Sequence, residues 1–115
     1  MIITPCEQGL RVECPAKLNL FLELHGKRPD GYHALETVMV TVGLFDTLDF
    51  RRESTERIRL ACFEAGPPND DERPAEEPLP TDERNLVVQA ANLLRKHAGI
   101  TEGVEISLHK RIPAQ

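Results

Sequence analysis

Tryptophan is absent from this chain and tyrosine occurs once, so a broad protein-binding surface anchored on large aromatic rings has little to be built from. No apolar run reaches the roughly 18 residues that a membrane span needs. The start, "MIITPCEQGLRVE", has no basic stretch followed by an apolar block, so no secretory signal is read there. Cys6, Cys14 and Cys62 are odd in number and none belongs to a CxxC pair. That argues against a disulfide framework or a zinc site, and for a reducing, cytoplasmic compartment. Neither a Walker sequence nor GxGxxG occurs, and His25, His97 and His109 lack HExxH spacing and read as surface residues. No metal site is expected.

What is present suits one soluble domain: 115 residues, 40% apolar and 29% charged. The charge is unevenly placed. Residues 64–83, "EAGPPNDDERPAEEPLPTDE", hold eight acids against Arg73, which is −7 of a chain total of −5, so the remaining residues carry +2. The same stretch has five of the nine prolines. It cannot bury enough apolar surface to fold alone and reads as a solvated loop. Without a concentrated basic face, nucleic acid is not an expected partner. A mildly positive remainder still suits a small phosphorylated ligand.

Before residue 64 the hydrophobic period is two. "LRVEC" (10–14), "KLNLFLEL" (17–24), "LETVMVTVGL" (35–44), "DTLDFR" (46–51) and "RIRLACF" (57–63) read as five strands. In the second of them Leu18, Leu20, Leu22 and Leu24 fall on one face, and Lys17, Asn19, Phe21 and Glu23 on the other. Pro29 and Gly31 make "RPDGYH" a turn. After residue 84 the period becomes helical over 85–99, with Val87, Ala90, Ala91, Leu94 and Ala98 on one face, basic residues in the last turn and Gly99 as cap. "GVEISLHKR" (103–111) alternates again, with Val104, Ile106 and Leu108 inward. The expected fold is α+β, a largely antiparallel sheet with one main helix. One helix is little cover for six strands, so the domain reads as incomplete.

Several residues could carry chemistry. Lys17 and Asn19 stand about 7 Å apart on one strand face. A solvated face is the plain reading, while Phe21 beside them suggests partial cover, where a lysine makes a strong phosphate or hydroxyl partner. Tyr32 and His33 follow the turn, either as packing and capping residues or as an aromatic face and imidazole for a nucleobase. Asp46 and Asp49 point to opposite faces, which excludes a carboxylate pair. Lys110 and Arg111 read as a charged strand exit.

"PAKLNLFLELHGKRPDGYHALETVMV", followed in order by "RNLVVQAANLLRKHAGI" and "GVEISLHKRIP", resembles the 4-diphosphocytidyl-2-C-methyl-D-erythritol kinases. These belong to the superfamily of galactokinase, homoserine kinase, mevalonate kinase and phosphomevalonate kinase. The resemblance implies the start of a ribosomal protein S5 domain 2-like domain over residues 1–115, with residues 64–83 as a variable loop. It implies transfer of the γ-phosphate of ATP, carried with Mg2+, to the 2-hydroxyl of a cytidine-diphosphate-linked methylerythritol in non-mevalonate isoprenoid synthesis. By motif match Lys17 is the catalytic residue, Asn19, Tyr32 and His33 bind the acceptor, and Asn85 and Lys110 lie near the nucleotide. In the family "KRIP" runs into a glycine- and serine-rich phosphate loop, with a proton-accepting aspartate and a second domain beyond. All three are expected outside these 115 residues, so the piece alone is expected to be inactive, to hold no cofactor tightly and to self-associate through uncovered surface. The alternatives are another small-molecule kinase of the superfamily or a non-catalytic interaction module.

Overall fold

A computed structural model describes residues 1–64 and 79–113, so most of the acidic stretch 64–83 lies outside the described residues. Five strands and one helix follow in the order β1 (Ile2–Cys6), β2 (Gly9–Lys27), β3 (His33–Glu53), β4 (Ile58–Glu64), α1 (Leu86–Ala98) and β5 (Gly103–Lys110). They form one sheet of order β1-β2-β3-β5-β4. All ladders are antiparallel except β4 with β5, and α1 is the crossover that this parallel pair requires. The α+β expectation, mostly antiparallel with one main helix, holds among the described residues.

The strand count reaches the described sheet differently from the sequence reading. The stretches 10–14 and 17–24 are one strand, and so are 35–44 and 46–51. Pro15 has no N–H to donate to a ladder, and such a residue is tolerated inside a strand at a bulge. The register shift between Pro15 and Lys17 accordingly places the extra residues on β3, from Thr41 to Phe45. β1 was not expected. It contains Pro5, which an edge strand accommodates, and it pairs with β2 through Ile2↔Glu13 to Cys6↔Gly9.

The core sits where three strands meet the helix. Ile106 pairs with Phe50 on one side and Leu60 on the other, and Leu108 with Leu48 and Cys62. Val88 of α1 closes over them, and Ile106 is wholly buried. Val104, Ile106 and Leu108 thus face inward as their alternation predicts. The helix face is turned relative to expectation. Val88 is buried and Val87 and Ala91 pack beside it, whereas Leu94 is 67% exposed. Ala90 and Leu94 instead line an apolar groove of about 610 Å³ with Leu48, Phe50, Ile58 and Ile100. Asn85 caps the helix by accepting from Val87 N–H (2.9 Å). Gly99 ends it at φ 66°, a left-handed conformation that glycine adopts without strain.

The first half of β3 and the second half of β2 form a two-stranded arm that no other described element covers. Leu18, Leu20, Leu22, Leu24, Leu35, Val38 and Met39 are all more than half exposed. Truncating Ile106, the one fully buried side chain among the described residues, tests where stability resides. Ile106→Ala is expected to cost about 2–5 kcal/mol, read from urea unfolding, whereas Leu20→Ala on the arm shifts the midpoint little.

Candidate functional site

Lys17 and Asn19 lie on β2 just beyond the first register shift, both exposed. Phe21 is 45% exposed, so the partial cover expected on that face is not found among the described residues. Between Asn19 and Phe21 the register shifts by one residue on β2, which breaks the strict alternation read over 17–24. Thr37, the ladder partner of Leu22, donates its hydroxyl to the Phe21 carbonyl (2.7 Å) and lies 3.5 Å from Asn19 Oδ1.

At the far end of the arm the turn is built as its sequence dictates. Gly31 has φ 89°, Asp30 Oδ1 accepts from Tyr32 N–H (3.1 Å), and Arg28 pairs with Asp30 (2.8 Å). Tyr32 is 75% exposed, so its ring presents a free face. His33 opens β3 opposite Lys27. From Lys17 to Lys27 is ten residues of β2, about 33 Å if the strand ran straight. No hydrogen bond or ion pair among the described residues joins Tyr32 or His33 to Lys17.

The other candidates gather at one end of the sheet. Cys14 pairs with Asp46, and Asp46 Oδ2 accepts from Lys110 Nζ (2.7 Å). Lys17 is three residues beyond Cys14, about 10 Å along the sheet and about 10 Å across from Lys110. The segment from Gly99 to Gly103 between α1 and β5 is short, so the helix runs back along β5 and its start at Asn85 lies toward the Lys110 end. Asn85 is nearly buried and engaged at both polar atoms, since Nδ2 donates to the Pro80 carbonyl (2.7 Å) while Oδ1 caps the helix. None of the six candidate residues lines the apolar groove.

Asp46 is the residue that sequence reasoning missed. Its Oδ1 accepts from the backbone N–H groups of Arg111 (2.7 Å) and Ile112 (2.8 Å), and Lys110 Nζ also reaches the Ile112 carbonyl. One carboxylate thus fixes the chain as it leaves β5. Its partners are 64 to 66 residues away, so no local signal could reveal them. Asp49 faces the other way, as spacing predicts, and takes Arg11 in a bidentate pair (2.7 and 2.8 Å). The three cysteines are free. Burial, and secondarily Glu64, push the Cys62 thiol up, away from the thiolate form.

Comparison with known proteins shows what the sequence is similar to. Over 105 residues the chain is 44% identical to the 4-diphosphocytidyl-2-C-methyl-D-erythritol kinase of Methylococcus capsulatus, covering 91% of this chain and 32% of that protein. The same-named proteins of Alcanivorax borkumensis and Bacillus pumilus are 43% and 42% identical, over 90% and 88% of this chain. A crystal structure of 4-(cytidine 5'-diphospho)-2C-methyl-D-erythritol kinase superposes with a TM-score of 0.57 at 33% identity, covering 90% of this chain and 32% of the other. Over about nine-tenths of its own length the chain is thus similar to the 4-diphosphocytidyl-2-C-methyl-D-erythritol kinases. It spans about a third of the length of the curated relatives it matches, and no family model matches it.

The Asp46 clamp sets a pH dependence. Burial acts to raise its carboxyl, but the hydrogen bonds from Ile112 N–H, Lys110 and Arg111 N–H outweigh it and hold the group below the ordinary value. A depressed carboxylate stabilises the fold above its unfolded value, near pH 4, and that stabilisation is lost as pH falls through the folded value. Asp46→Asn is therefore expected to lower stability at neutral pH and to flatten its acid-side loss, as read from urea unfolding between pH 7 and 2. The Arg-paired Asp49 and Asp82, also depressed, leave a residual slope. An unchanged slope in the variant counts against the clamp.

Proposed function

We propose that these residues form the acceptor-side part of an enzyme that transfers the γ-phosphate of ATP to the 2-hydroxyl of a cytidine-diphosphate-linked methylerythritol. The observation that carries this reading is the 44% identity over 105 residues to a kinase of that name, a span that includes the β2–β3 arm. Lys17 sits by the reacting hydroxyl and offsets charge as the phosphoryl group moves, in keeping with a reaction catalysed by positioning and electrostatics. Asn19 holds the erythritol or its phosphates. Tyr32, with its free ring face, stacks on cytosine, and His33 hydrogen-bonds the edge of that base. Asn85 and Lys110 border the nucleotide. Asp46 holds Lys110 in place, and the remaining N–H of that ammonium is left for a ligand. Mg2+ arrives on the ATP phosphates.

A single acceptor touching Lys17 and Tyr32 requires the arm to curl, and the shifts after Asn19 and after Leu24 are the places where it bends. Calorimetric titration with the cytidine-diphosphate acceptor, beside Tyr32→Ala, tests the reading. Stacking on an aromatic ring is worth about 1–3 kcal/mol, so the variant is expected to bind about 5-fold to 150-fold more weakly. Amide shifts are expected at both 17–19 and 32–33. Unaltered affinity in the variant, or shifts at one end alone, would remove it.

The uncovered leucines of the arm also favour association between copies through apolar surface and open strand edges. Light scattering is expected to show mass rising with concentration, and a constant monomer mass at high concentration contradicts it.

A further inference from the structure

We propose that Glu23, His25 and Glu36 form a binding site for a divalent first-row transition-metal ion of the zinc or cobalt type, independently of the reading above. Glu23 and Glu36 are direct ladder partners, and like charges directly opposite destabilise a sheet. His25 follows two residues after Glu23, beside the register shift between Leu24 and Lys27. Bulges re-aim side chains in this way. One donor atom from each residue lies within 4.8 Å of the other two, and His25 Nε2 is 3.6 Å from Glu36 Oε2.

Bonds of about 2.0–2.2 Å to imidazole nitrogen and carboxylate oxygen bring donor atoms to about 3–3.5 Å of one another. The required closing movement is small for three exposed side chains. The imidazole decides the class of ion. Two carboxylates alone suit Mg2+, Ca2+ or Mn2+, while a nitrogen donor added to them favours zinc, cobalt or nickel. Three protein ligands leave room for water or a further ligand. An ion there would cross-link β2 and β3 close to the Tyr32 turn, in a part of the arm that no other described element covers. Spacing alone does not reveal it, because Glu-x-His becomes a ligand set only when the ladder sets Glu36 opposite.

The test is titration of the whole chain with Co2+, followed by calorimetry and by absorption. One ion per chain is expected, with cobalt d–d bands and no thiolate charge-transfer band. Amide shifts should be confined to 23–25 and 35–37. His25→Ala and Glu36→Gln should each weaken binding at least about tenfold, since even outer-shell changes at metal sites cost that much, and His97→Ala should leave it unchanged. All three positions are exposed, and an unchanged circular dichroism spectrum confirms that the variants fold. Absence of saturable binding, a thiolate band placing the ion on cysteine, or unaltered affinity in His25→Ala overturns the proposal.

Discussion

Strand β3 is shared between two environments, and the character of the rest of the molecule depends on where that sharing stops. Over Thr47–Arg51 it is hydrogen-bonded along both edges, to β2 and to β5. From His33 to Phe45, among the described residues, it pairs with β2 alone. Where a third and fourth strand join, a helix can lie across them, and Leu48, Phe50, Leu60, Ile106, Leu108 and Val88 exclude water together. Where they do not, the same alternation of apolar side chains meets no further element among the described residues. A two-stranded ribbon is marginal in water by itself, so the arm draws its order from backbone continuity with the packed half.

That division explains what the sequence could and could not show. Periodicity reports local geometry, and it located β4, β5, α1 and the Gly31 turn because each is set by neighbours a few residues away. The inward set Val104, Ile106 and Leu108 followed for the same reason. β1 stayed hidden because an edge strand needs no strong pattern and tolerates Pro5. The continuity of β2 stayed hidden because a proline inside a strand normally ends it, and here a bulge absorbs it. Val88 was missed because helical spacing identifies an apolar stripe and not which of its edges meets the sheet.

The candidate residues divide along the same line. Lys17, Asn19, Tyr32 and His33 stand out by motif and are exposed, so their visibility in sequence matches their availability in space. Asn85 and Lys110 are also visible by motif, yet each already has a structural task. Asn85 ties the helix start to the Pro80 carbonyl, and Lys110 is held by Asp46. Neither contact is local enough to read in advance, apart from the helix cap. Asp46 shows the limit most clearly. Judged only against Asp49 it is a lone carboxylate, and its three donors come from the end of β5 and the two residues after it, 64 to 66 residues later.

The irregularities of the sheet are not spread evenly. From Gly9 to Pro15 the β2–β3 ladder runs without a shift, and so do the β3–β5 and β4–β5 ladders. All three shifts fall between Pro15 and Lys27. A slip of one residue in the packed half would send Ile106 or Leu48 to solvent, so burial fixes register there. On the arm no described element covers either face and burial among the described residues imposes no such penalty, which leaves backbone geometry free to answer to side-chain placement. Lys17 follows the first shift, Asn19 and Phe21 bracket the second, and His25 lies within the third. The residues with the most chemistry to offer therefore stand where the ladder is least constrained by the core.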